Sequence, residues 1–347
     1  MKDNKLSVLV TAAGNVFMPG TLESLRNNGE RPLHLVGADM NRDDTILLMC
    51  DSVYQVPKCT DPFYIESLLE ICRKEKVDIL LPIMSAELNA LSQNRNRFLQ
   101  EGTIVSVSGF EAVSIANDKT KLFDFMQAHN LPCAHYYKVH NAEELKTYAE
   151  VLGYPDNNVC IKVSNGSGSR GFRILSEKVS RFHLFMNEKP SAGLITLKEM
   201  LDILGESQNF PELMLMEYLP GEEYSVDLLA NHGTVLVSCC RKSLRMENSI
   251  MLETIIVDHP HIIDLCKQVT EGLKLDGNIG FDLKERYDGT PVIMECNPRI
   301  TAGVTYFAKS GVNLPYLCIK KLLGETLPEV SPMYGTVIRR RWQEMVG

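Results

Sequence analysis

The stretch from Asn278 to Arg299 constrains the fold most, because it reads as two strands joined by the pair Asp288-Gly289. Asp-Gly between alternating runs favours a two-residue hairpin loop. If that loop sets the register, Tyr287 pairs with Thr290, and counting outward places Asp282 directly opposite Glu295. Cross-strand neighbours have Cβ atoms only ~4.5–5.5 Å apart, so two like charges there repel unless a cation lies between them. Alternation along the strand puts Asn297 on the same face as Glu295 and adds a third oxygen. Oxygen ligands with no His or Cys nearby favour Mg2+ or Mn2+ over zinc. Two unrelated acids on a solvated hairpin face would give the same pattern, so the chain upstream must discriminate.

A chain of 347 residues is long enough for two or three domains. Its formal net charge of −8 argues against a nucleic-acid or anionic-membrane binder, since both need a basic surface. The run Arg339-Arg340-Arg341 reads most simply as a solvated strand end and only secondarily as an anion-binding patch. There are 10 cysteines but no Cys-x-x-Cys, and Cys160, Cys296 and Cys318 lie in apolar runs as buried thiols do. A reducing cytoplasm fits that usage. Lys2 and Lys5 precede a short apolar run, Leu6 to Ala13, which leads into Gly14-Asn15 and reads as a first strand, not a secretory signal. No stretch approaches the ~20 apolar residues of a membrane-spanning helix.

Up to about residue 113, strands at Leu6–Val10, Leu33–Val36 and Ile79–Pro82 alternate with helical patterns from about Thr21 and over Phe63–Lys74. That order predicts a doubly wound parallel sheet. A dinucleotide fingerprint is not met, because only Gly14 of Gly-x-Gly-x-x-Gly is in place, and Asp39 reads as a loop acid. Beyond Ile104–Val107, Asn117-Asp118-Lys119 opens an amphipathic helix through Leu122, Phe123 and Met126 that reads as a linker. A strand at Val159–Val163, a Gly/Ser loop and a strand at Phe172–Leu175 form a hairpin. The remainder reads as antiparallel β with one helix, Ile262–Leu273, packed on it.

Backbone N–H groups of a Gly/Ser loop can converge on phosphate oxygens, although this loop lacks the Gly-Lys-Ser/Thr of a Walker sequence. An ammonium in the apolar strand around Lys162 needs an anionic partner if it is buried, and none if it faces solvent. Glu217, Tyr218 and Leu219 end an apolar strand before Pro220-Gly221 and can present backbone groups to a planar base; Glu223 can accept from ribose hydroxyls. Arg241 and Lys242, after the strand Val235–Cys240, suit a carboxylate or acyl phosphate, or equally a basic surface loop. Ser85 and Glu87 follow an N-terminal strand, where open α/β sheets bind ligands and where helix starts also collect Ser and Glu.

Taken in order, these residues resemble the ATP-grasp superfamily, and in particular single-copy proteins similar to one half of the carbamoyl phosphate synthetase large subunit. The most specific match is Glu295-Cys-Asn297-Pro-Arg299, similar to the family's Glu-x-Asn-x-Arg metal motif. The resemblance implies an α/β pre-ATP-grasp, Rossmann-like domain (1–113), a linker helix and small glycine-loop lid (114–217), and an α+β C-terminal subdomain with the metal site (218–347). It implies that Lys119 and Lys162 hold the α- and β-phosphates of ATP, with the lid from Gly166, Ser167, Gly168 and Ser169 to Gly171 over the terminal phosphates. Glu217, Tyr218 and Leu219 would form the adenine hinge, and Glu223 would take the ribose. Asp282, Glu295 and Asn297 would hold Mg2+, with Mn2+ an alternative, while Arg299, Lys162 and Arg241 act on the transferring phosphoryl group. The implied activity is that of an ADP-forming ligase, which activates a small-molecule carboxylate as an acyl phosphate and joins it to an amine. Glu87, Arg241 and Lys242 are candidate substrate contacts, and a homodimer is the implied assembly. A non-catalytic ATP sensor or scaffold is the rival reading. A carbamoyl-phosphate-forming enzyme is disfavoured by the single ATP-grasp unit, and a biotin carboxylase by the short glycine loop.

Overall fold

The computed structural model describes residues 5–41, 43–163, 171–178, 180–187, 193–247 and 250–343, and three sheets form among them. The first is parallel. Its strands β1 (Leu6–Thr11), β2 (Leu33–Asp39), β3 (Ser52–Gln55), β4 (Ile79–Leu81) and β5 (Ile104–Val105) lie in the order β3-β2-β1-β4-β5. Helices α1 (Met18–Arg26), α2 (Tyr64–Glu75), α3 (Leu88–Gln93) and α4 (Arg95–Gln100) connect them. Val8, Leu9 and Val10 are wholly buried in succession, as a parallel sheet covered on both faces requires. The doubly wound arrangement expected from the alternation is therefore present. β3 escaped sequence reading because it is a short edge strand of partly exposed residues. The strand order reverses between β1 and β4, so the crevice at their C-terminal ends lies at a topological switch point. Two turns border it. One is the Gly14 turn, whose N–H donates to Asp39 Oδ2 at 2.9 Å, so Asp39 shapes that turn. The other is a 3-10 turn over Ser85–Glu87.

Helices α5 (Phe110–Ala116) and α6 (Lys119–Ala128) lead to a second sheet. Its strands are β6 (Tyr136–Val139), β7 (Val159–Val163), β8 (Arg173–Leu175), β9 (Leu194–Ile195) and β10 (Leu213–Glu217), in the order β6-β10-β7-β8-β9. Helices α7 (Ala142–Val151), α8 (Arg181–Asn187) and α9 (Leu197–Gly205) belong to this layer. Leu145 of α7 and Leu201 of α9 pack with Val159, Ile161, Leu213 and Leu215. Alternation turns Cys160, Lys162, Met214 and Met216 to the other face, toward the third sheet, and three of these four join that sheet's core.

The third sheet is antiparallel. It holds β11 (Glu223–Asn231), β12 (Thr234–Glu247), β13 (Ile250–Val257), β14 (Gly277–Glu285), β15 (Pro291–Asn297) and β16 (Val337–Arg339), in the order β15-β14-β11-β12-β13-β16. Helix α10 (Pro260–Gly272) covers one face, where Ile262, Cys266 and Val269 meet Val226, Leu228 and Phe281. Leu122, Phe123 and Met126 of α6 enter this same core, while Phe123 also meets the Tyr136 ring and Asp124 accepts from Tyr136 and Lys138 of β6, so the linker helix bridges the second and third sheets. Helices α11 (Val304–Lys309) and α12 (Leu314–Leu322) reach both ends of the molecule. Phe307 and Leu317 pack with Leu229 and Ile256 of the third sheet, whereas Val304, Tyr316 and Ile319 complete the core of the first around Val8, Val10 and Leu22.

Candidate active site

The hairpin of β14 and β15 does set Asp282 opposite Glu295, but by a route the sequence did not indicate. The turn holds three residues, not two: Arg286 N–H donates to the Thr290 carbonyl at 3.0 Å, with Gly289 at φ +79 inside the loop. Near the turn the register therefore runs Glu285–Pro291, Lys284–Val292 and Leu283–Ile293. A bulge then leaves Met294 without a partner and restores the Asp282–Glu295 pair. The two departures cancel.

Register extends this pair into a polar row across four strands, Arg241, Ser225, Asp282 and Glu295, with Asp227, Gly280 and Asn297 in a parallel row on the same face. Ser225 Oγ donates to Asp282 Oδ1 at 2.7 Å. Burial, and next the charge of Glu295, push the Asp282 carboxyl up to about 6. Lys119, the first residue of α6, places Nζ 3.1 Å from Glu295 Oε2. The side chain of Asp118 fixes that helix start by accepting from the Thr120 and Lys121 N–H groups. Arg299 is braced on three sides: Nε donates to Ser85 Oγ at 2.9 Å, Nη1 to the Ile300 carbonyl at 3.0 Å and Nη2 to Asn297 Oδ1 at 3.0 Å. Burial lowers its pKa, opposed by the charges of Glu295 and Asp282.

From the second sheet, Lys162 faces the same group. Its ammonium lies 5.6 Å from the Phe172 ring centroid and has no salt-bridge partner among the described residues. Burial lowers its pKa, with Lys119, Glu295 and Glu223 all close enough to act on it electrostatically. Burial likewise raises the Glu223 carboxyl, against the pull of Lys284 and Lys162. A triphosphate with a divalent cation would supply the countercharges these buried groups want. Among the described residues no cluster of three or more His, Cys, Asp or Glu could hold a metal. The candidate set is instead two carboxylates and one amide, and oxygen donors of that kind suit Mg2+.

At the hinge, Glu217 is committed: its N–H donates to the His135 carbonyl at 2.9 Å and its Oε1 accepts from the His135 N–H and from Arg286. The Leu219 N–H, in contrast, has no partner among the described residues. Tyr218 lies with its ring 5.9 Å from Lys284 Nζ, beside Glu223. Gly166, Ser167, Gly168 and Ser169 lie outside the described residues.

Three expectations need correction. Arg241 sits inside β12, not after a strand, and is 6 % exposed. Its Nη1 pairs with Asp227 Oδ2 at 2.6 Å, and the guanidinium packs over Tyr306 and Phe307, so its charge is already offset in a structural pair. Lys242 points to the opposite face and pairs with Glu222 at 3.0 Å, as strict alternation after Arg241 demands. Glu87 is 1 % exposed and accepts from the Ile83 and Met84 N–H groups and the hydroxyls of Thr11 and Tyr64, which leaves nothing for a substrate. Sequence reading also passed over Ser225 and Asp227. The signal was there in Glu223-Tyr-Ser225-Val-Asp227, three polar residues at period two in an otherwise apolar strand.

An α/β domain followed by two sheets that turn lysines and a carboxylate hairpin toward one another is the ATP-grasp class of fold. Residues 209–344 match the family described as ATP-grasp in the biosynthetic pathway with Ter operon, and residues 8–106 match the PylC-like N-terminal domain. The chain is 22% identical over 293 residues to the carbamoyl phosphate synthase large chain of Clostridium acetobutylicum, covering 81% of this chain and 25% of that one. It thus spans about a quarter of that relative's length. Among solved structures, the ADP complex of purK, N5-carboxyaminoimidazole ribonucleotide synthetase, aligns with a TM-score of 0.70 at 18% identity, over 96% of this chain and 80% of that one. The biotin carboxylase domain dimer of Hydrogenobacter thermophilus 2-oxoglutarate carboxylase, in complex with MgADP, ADP and bicarbonate, aligns with a TM-score of 0.69 at 16% identity, over 95% and 73%. The chain thus has the ATP-grasp fold, with an ATP-grasp family match over its C-terminal part and a PylC-like match over its N-terminal part. No helix among the described residues is long and apolar enough to cross a membrane.

Proposed function

We propose that the protein is an ADP-forming ligase that uses ATP to activate a small-molecule carboxylate as an acyl phosphate and joins it to an amine, releasing phosphate. The observation that carries this reading is the convergence of Lys119, Lys162 and Arg299 on the Asp282–Glu295 pair. Phosphoryl transfer depends mainly on positioning and charge neutralisation, and these groups supply both. In this reading Lys119 and Lys162 hold phosphate oxygens and Arg299 offsets charge on the transferring group. The Leu219 N–H and the Glu217 carbonyl meet adenine, and Glu223 accepts from the ribose. Asp282, Glu295 and Asn297 would hold Mg2+, or Mn2+ by the same oxygens, and that ion would neutralise phosphate charge. Two thiols lie near these groups, Cys160 beside Lys162 and Cys296 next to Glu295, and burial keeps the proton on both. In this reading the substrate carboxylate is the acceptor. A homodimer in a reducing cytoplasm completes the proposal, consistent with ten free cysteines.

The test is ADP and phosphate release from Mg-ATP with pooled small carboxylates and amines, beside a Glu295→Gln variant. Release that needs both pools and falls roughly 100-fold or more in the variant is expected. Release indifferent to the amine, or intact in Glu295→Gln, would refute the ligase.

A further inference from the structure

Ser85 is where the first domain touches this charged group. Its Oγ accepts from Arg299 Nε at 2.9 Å, and its carbonyl accepts from Asn117 Nδ2 at 2.8 Å, two residues before Lys119. Lys119 in turn contacts Glu295. One residue at the end of β4 is thus bonded to Arg299 and to the segment that launches Lys119. The turn carrying Ser85 is itself held firmly. Beneath it the Glu87 carboxylate accepts the Ile83 and Met84 N–H groups at 3.0 and 2.8 Å, together with the hydroxyls of Thr11, at the end of β1, and Tyr64, at the start of α2. Arg299's two other bonds go to Asn297 and Ile300, close neighbours in its own chain segment. They cannot fix the guanidinium against a separate body; Ser85 can.

We propose that Ser85 is a positioning residue, holding Arg299 in register with Lys119 so that the first domain sets the geometry of phosphoryl transfer. The proposal rests on the reading of Arg299 given above. Misplacement of a charge-stabilising group by a fraction of an ångström lowers turnover without weakening ground-state binding.

Full-length wild type, Ser85→Ala, Ser85→Thr, Arg299→Lys and the Ser85→Ala/Arg299→Lys double variant serve as the test. The first readout is exchange of the Arg299 Nε–H, followed by 15N NMR of arginine side chains and assigned by its loss in Arg299→Lys. The second is ADP release with the pooled substrates, alongside Mg-ADP affinity by calorimetry. Ser85→Ala should speed Nε–H exchange and lower maximal release roughly 10-fold while Mg-ADP affinity stays within about 2-fold. Ser85→Thr should recover both, and Ser85→Ala should cost little in the Arg299→Lys background. Unchanged exchange in Ser85→Ala, or effects that simply multiply in the double variant, would overturn the proposal. If no pool stimulates release, the ligase reading fails separately, and the Nε–H exchange still decides whether Ser85 holds Arg299.

Discussion

Asp282 shows at the scale of one residue what the site is built to do. Its carboxyl is pushed from 3.8 up to about 6 by burial and by Glu295. The folded chain therefore holds this proton more tightly than the unfolded chain does. That contribution favours folding fully below about 3.8 and is lost as pH rises through about 6. Metal-free protein should accordingly melt lower at pH 7.5 than at pH 5.5 on this account, and Asp282→Asn should raise the pH 7.5 melting temperature by a few degrees and flatten that slope. Scanning calorimetry with chelator checks both; a variant that melts lower at pH 7.5 would show that Asp282 is not under electrostatic strain. Asn297 was legible on the face of Glu295 from strand alternation, whereas Asp282 stands opposite Glu295 because a three-residue turn and the Met294 bulge offset each other. Glu87 was not legible. A Ser-x-Glu at a strand end looks the same whether the acid turns outward or inward, and only the approach of Thr11 and Tyr64 turns it in.

Among elements, the start of α11 is set by contact with β12. A Cβ on Gly303 would lie 2.1 Å from Arg241 Nη2 and 2.4 Å from Cζ, and that guanidinium is locked between Asp227 and two rings. Gly303→Ala should cost about 1–3 kcal/mol in urea unfolding, whereas Gly205→Ala, with nothing near its Cβ, should stay within about 0.5 kcal/mol. Equal effects would mean that the guanidinium yields. The three-residue turn and the Met294 bulge belong to this scale too. Asp-Gly signalled a hairpin correctly, yet turn length and bulge depend on how β14 twists against β11, which neither residue encodes. The length of β12 was hidden for a related reason. Beyond Cys240 its polar residues read as a loop, and pairing with β13 carries the strand on to Glu247.

Across the whole molecule, the N-terminal sheet encloses the core on one of its faces but not on the other. Val304, Tyr316 and Ile319 fill that second core, and Arg31 grips Glu325 with two bonds of 2.7 Å. A fragment of residues 1–113 should therefore bind a hydrophobic dye and lack a cooperative urea transition, although its strand and helix pattern is complete. A fragment with a sharp transition would show the C-terminal helices to be dispensable. This interlock places Ser85 against Arg299, more than two hundred residues apart. By itself the sequence determined the parallel sheet, the antiparallel sheet, the carboxylate hairpin and the lysines, because each follows from a local period or a turn within a few tens of residues. The tertiary structure alone decided that Arg241 is a buried strut, that Lys242 faces away, that Glu87 is sealed and that Ser85 bears on Arg299. Those roles depend on which surfaces meet, and burial and desolvation are settled only when distant segments pack together.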